Sequence, residues 1–196
     1  MLISQTSNRT ILGLIDNIRK KLARRNLIQE HQNLLRERKS ANLEEAHTIA
    51  LLYYLPDEDT YKQVEEFIKI LSETNLKVRV ACYTDIKIQP HYFIPKLSQD
   101  ILIPKDLNWY GKPEKTFVPD FLAEKFDILI DLSLSEHFPL LYLAALSNAA
   151  LKIGRFDDTH QEFFDMMIHT TPETSLREFM DQIMHYLIMF NNNEPA

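Results

Sequence analysis

Glycine is almost missing from this chain, with three in 196 residues: Gly13, Gly111 and Gly154. A Walker loop or a GxGxxG turn needs glycines directly after its first strand, so that the backbone can approach phosphate. None stands there, and both signatures are excluded. Cysteine is scarcer still. Cys82, between Ala81 and Tyr83 in an apolar run, has no partner for an internal disulfide and reads as a small core residue, which fits a reducing compartment. Long hydrophobic runs are also missing. The longest, Ile49 to Leu55, is too short to cross a bilayer, and the start MLISQTSNRT lacks the basic stretch and apolar core of a secretory signal. A soluble, cytoplasmic protein is expected. Among the seven histidines no pair has HExxH spacing and none has a thiol pair nearby, so neither a metal site nor a cofactor is expected.

Charge is present but unevenly spread. The first 40 residues hold nine of the 22 Lys/Arg and three of the 28 Asp/Glu, which makes them +6 and the remainder −12. Residues 11 to about 39 read as one long amphipathic helix with Ile11, Ile15, Ile18 and Leu22 along one stripe. Its other faces carry Arg19, Lys20, Lys21, Arg24 and Arg25, then Arg36, Arg38 and Lys39. Two readings stand side by side: a helix docked on the body with its charges solvated, or an arm for an anionic partner, RNA or an acidic membrane surface. The change of composition at 40–45 divides the chain into a basic helical arm, 1–40, and a body, 41–196.

The body alternates strand and helix. Residues 48–55 form a buried-strand candidate closed by Pro56-Asp57, and a helix capped by Asp59 or Thr60 runs to Glu73 with Tyr61, Val64, Phe67, Ile68 and Leu71 at helical spacing. Residues 77–83 alternate as a strand near a sheet edge. The centre of the pattern is FDILIDLSLSEHFPLLYLAALSNAALKIG, residues 126–154, a strand, loop, helix and strand in which Pro139 occupies the first helical turn and Gly154 turns the backbone away. A short strand at 166–168 and a helix from Ser175 to about Phe190, with Leu176, Phe179, Ile183, Tyr186, Leu187 and Phe190 buried, complete it. The expected fold is a three-layer, Rossmann-like α/β domain with a mainly parallel sheet of about five strands.

Topology alone then locates a site, because open α/β sheets bind ligands beyond the carboxyl ends of their strands. The residues expected there are Asp85, Asp131, Ser133, His137, Arg155 and Asp157; Trp109, in the loop DLNWYGKP, joins them as a ligand contact. His137 would supply acid–base capacity and Arg155 an anion clamp. The plainer reading is that loop ends are always polar, with Asp131 and Ser133 capping the next helix.

On FDILIDLS, PLLYLAALSNAALKIGRFD, DLNWYGKP and the closing helix, the chain resembles a family of uncharacterised proteins from Bacteroidota, a resemblance that implies a fold and no activity. More remotely, FDILIDL followed by AALSNAALKIG looks like the end of the N-terminal domain of heptosyltransferase-type glycosyltransferases. The expected function is a non-catalytic binding or interaction module. The rival is an enzyme or degenerate enzyme domain that binds a sugar or nucleotide at the strand ends.

Overall fold

The computed structural model describes residues 3–191, with side chains from 17 to 189. Among these the sheet has six strands, all parallel: β1 (Thr48–Tyr54), β2 (Lys77–Tyr83), β3 (Gln99–Leu102), β4 (Ile128–Asp131), β5 (Leu151–Arg155) and β6 (Met166–Ile168). Their order is β3-β2-β1-β4-β5-β6, that of a doubly wound sheet, one strand more than expected. Burial on both faces explains the apolar strand sequences. Ile49, Leu51 and Tyr53 pack into one core, and Ala50 and Leu52, pointing the other way, pack into a second.

The first core is covered by α2 (Glu58–Glu73) and α5 (Leu176–Asn191). The cap of α2 is Asp57, whose carboxylate accepts from the Thr60 amide at 2.8 Å, rather than Asp59 or Thr60. In α5, Ser175 and Glu178 form a reciprocal cap, and Phe179, Met180, Ile183 and Leu187 are buried. Tyr186, expected in that stripe, is exposed, and the Phe190 side chain lies outside the described residues.

On the opposite face lie α3 (Val118–Ala123) and α4 (Phe138–Leu146). Every residue from Pro139 to Leu146 is buried, so α4 is a helix without a wet side and requires cover away from the sheet as well as toward it. That cover is the second half of α1 (Ile3–Gln32). Ala23 and Leu27 are buried, Leu27 with 1% exposure, whereas Ile18 is 55% exposed and the side chains of Ile11 and Ile15 lie outside the described residues. The seam therefore uses a later stripe than the one expected.

The helix also stops earlier than expected. It ends at Gln32, and residues 34–42 have no regular structure. Arg36 accounts for this path: its Nη1 donates to the Ala149 carbonyl at 3.2 Å and to Asp165 at 2.8 Å, contacts that a continued helix would carry away from the sheet. Gly154 does not turn the chain either. It sits inside β5, where a Cβ would lie 2.6 Å from Phe164 Cε1, so glycine is required by close approach. No helix among the described residues is long and apolar enough to cross a membrane.

Candidate functional site

The strand order reverses between β1 and β4, and at such a point the loops leaving the two strands part and open a crevice. The register sets Leu52 beside Asp131, the last residue of β4, so that β1 continues past it to Tyr54. There the Tyr54 and His137 rings stack, centroids 3.8 Å apart and 11° from parallel. His137 is the residue before α4, and its Nε2 lies 3.0 Å from Ser135 Oγ. Burial lowers its pKa, so the ring is neutral at pH 7. A serine against a neutral imidazole is the start of a nucleophile–base pair, but no carboxylate is hydrogen-bonded to the other ring nitrogen among the described residues.

His137 borders two hollows. The larger, a crevice of about 570 Å³, lies between the basic side of α1, the end of β2 and the start of α4. Arg19, Lys20 and Arg24 form its basic wall; Tyr83 and Tyr110 contribute aromatic rings. Arg24 donates to the Thr159 carbonyl at 2.8 Å, which holds this part of α1 over the strand ends. Gly111, with φ of 97°, brings the 107–113 loop against Phe138, where a Cβ would be 3.2 Å from the ring.

The smaller hollow is an inner cavity of about 30 Å³, lined by Asp131, Ser133, His137, Arg155 and Asp157 among others. Asp131 Oδ1 accepts the Ser133 amide at 3.0 Å, and burial pushes this carboxyl up to about 6 against the weaker pull of Ser133 and Arg155. Ser133 Oγ is buried without a hydrogen-bond partner. Arg155 is engaged locally, Nη2 donating to Asp157 Oδ2 at 3.3 Å and Nη1 to the Phe156 carbonyl at 3.2 Å. His160 stands between Glu136 and Asp157, each 3.6 Å from one of its ring nitrogens.

The residues expected at the site thus separate. Asp131, Ser133, His137, Arg155 and Asp157 converge on the inner cavity; Asp131 and Ser133 form a turn with each other and do not cap α4, whose N-cap is His137. Asp85 is exposed and lines neither hollow; burial first, and then the nearby Asp85 carboxylate, raise Tyr54 to about 12. Trp109 is 63% exposed, set edge-on to Tyr110, and also lines neither hollow.

Of the cations assigned to an anionic partner, Arg19, Lys20 and Arg24 face the crevice, while Lys21 and Arg25 are exposed elsewhere on α1. Arg36 and Arg38 are paired with Asp165 and Lys39 with Glu37, none of them on the helix. Tyr83 and His160 were not anticipated. Tyr83 ends β2, so the strand-end rule reaches it; His160 lies in an irregular stretch after β5 and carries no sequence signal.

Three layers, an all-parallel sheet in doubly wound order and a crevice at its carboxyl edge define a Rossmann-like α/β protein. Residues 19–190, nearly the whole body together with the packed half of α1, match a family of unknown function (DUF6913), and the chain belongs to that family. No curated protein matches the chain.

Proposed function

We propose that the protein is a binding module for a phosphate-bearing small molecule, taken up in the crevice at the carboxyl ends of the strands with α1 as its basic wall. The observation that carries this reading is the placement of Arg19, Lys20 and Arg24 along a crevice of about 570 Å³ beside the start of α4. Pocket volume and a cluster of cations, of which Arg24 is held at the Thr159 carbonyl, act in the same direction, since each favours a compact anion.

RNA and an acidic membrane surface are the other anionic partners to which the basic start of the chain points. Either would use an outward-facing basic surface, and the pairing of Arg36, Arg38 and Lys39 with carboxylates reduces that surface.

Heating the full chain with inorganic triphosphate, sugar phosphates and mononucleotides tests the reading. Saturable stabilisation is expected, weakening as salt rises and lost in Lys20→Glu. The absence of any shift with the unaltered protein would sink it, and a shift with single-stranded RNA alone would transfer the α1 cations to an extended partner.

A further inference from the structure

We propose that the inner cavity receives a hydroxyl group of the same ligand whose phosphate rests on the α1 wall, so that the ligand is a hydroxylated organic phosphate of the sugar or polyol type. The inference rests on the crevice reading above and adds what lies at its inner end. Its first support is Ser133. The residue is 7% exposed, and its Oγ, though close enough to the Asp131 carboxyl to favour its charged form, makes no hydrogen bond of full geometry, whereas buried hydroxyls in folded proteins almost always do. A group held in that state at the edge of a cavity is prepared for a partner brought from outside.

The second support is size. The space of about 30 Å³ is small beside the crevice of about 570 Å³, so it suits a group of the size of a hydroxyl better than a second phosphate. The third is charge. Asp131, Asp157 and Glu136 line the cavity, and its one arginine is already committed to Asp157 and a backbone carbonyl. A second anion is repelled there, whereas a neutral hydroxyl can donate to the Asp131 carboxylate and exchange a hydrogen bond with Ser133 Oγ. The fourth is continuity. Glu136, His137, Leu141 and His160 line both hollows, so one molecule can reach from the basic wall to the inner end.

The test is a comparison of ligands of like charge. Binding of ribose 5-phosphate, propyl phosphate and inorganic phosphate to the full chain is measured by calorimetry at low salt. Ribose 5-phosphate is expected to bind about tenfold more tightly than propyl phosphate, the effect of one buried hydroxyl that finds its partners. Ser133→Ala should erase that preference and keep the affinity for propyl phosphate. It should change the melting temperature of the unliganded protein little, since the Oγ it removes makes no hydrogen bond of full geometry. Lys20→Gln should weaken all three ligands alike.

Equal binding of ribose 5-phosphate and propyl phosphate, or a preference that survives Ser133→Ala, would overturn the hydroxyl site and leave the basic crevice standing. Failure of all three to bind would overturn both.

Discussion

Tyr54, the last residue of β1, lies flat against His137, the residue that opens α4, with 3.8 Å between ring centroids. The stack ties the end of β1 to the start of α4 where the chain order reverses, and through it Tyr54 positions the ring of His137, which borders both hollows. Burial that keeps His137 neutral also makes the fold sensitive to acid. The folded-state pKa lies below the unfolded value near ~6.5, so the unfolded chain takes up the proton first and stability falls as pH drops below neutrality. Asp131 acts oppositely. With its carboxyl raised to about 6, the folded state holds the extra proton, and stability from this group increases as pH falls through 6 toward the ordinary carboxylate range. His137→Gln should therefore flatten the loss of stability between about pH 7 and 5, and Asp131→Asn should steepen it. Urea midpoints across that window decide; an unaltered slope in His137→Gln removes the imidazole from the account.

The packed half of α1 yields a second expectation. Leu27 is buried against a helix that has no wet face, so Leu27→Ala should cost about 2–5 kcal/mol. Lys21→Ala and Arg25→Ala, on exposed faces, should stay within about 0.5 kcal/mol. Removal of residues 1–33 should lower the melting temperature at least as far as Leu27→Ala does, because it uncovers the outer side of α4. A truncated body as stable as the full chain would show that α1 contributes nothing to the fold.

Much of this architecture was legible in advance. Strands such as Ile49–Tyr53 and Ile128–Ile130 are apolar on both faces, a pattern that a parallel sheet with two covered sides produces. The docking of α1 was less so, since the isoleucine stripe at 11, 15 and 18 outweighs Ala23 and Leu27 in any count of hydrophobic spacing. The signal for it lay in another element: Leu140, Leu141, Leu143, Ala144 and Leu146 surround α4 and demand a second cover. The strand-end rule found the inner cavity because topology alone fixes which residues leave the strands together. It did not bring Asp85 to either hollow; Trp109, chosen for its loop and not by this rule, stands 63% exposed, since rarity in the sequence says nothing about the direction of a side chain.

A close approach inside β5 gives the third expectation. A Cβ at Gly154 would fall 2.6 Å from the buried Phe164 ring, which must then move within a filled core. Gly154→Ala should destabilise the protein by about 1–3 kcal/mol. Adding Phe164→Leu should recover part of that loss, while Phe164→Leu by itself should destabilise. If the double variant is worse than the sum of the two single changes, the clash is not the cause.

The last expectation concerns the other end of α4, where Lys152 is fully buried in β5 and its Nζ donates to the Ala145 carbonyl at 2.9 Å. That carbonyl also accepts from His31 Nδ1 at 3.0 Å, so two side chains serve one of the last acceptors of a helix whose dipole is negative there. Removal from water lowers the Lys152 ammonium to about 7, with the nearby Arg36 charge acting in the same sense and Asp165 against it. The unfolded chain keeps an ordinary lysine near ~10.4, so between these values it binds a proton that the folded protein does not. Stability must then rise with pH from about 7 toward 10, opposite to the trend expected of a surface lysine paired with a carboxylate. Lys152→Met retains the buried stem and removes the titration. The difference between the wild-type and Lys152→Met unfolding curves isolates this group from the other lysines and tyrosines that titrate in the same range. That difference should grow in favour of the wild type as pH is raised from about 7 to 10. A constant difference over that interval would mean that the buried amine is charged throughout, held by the helix end and Asp165 against its loss of hydration.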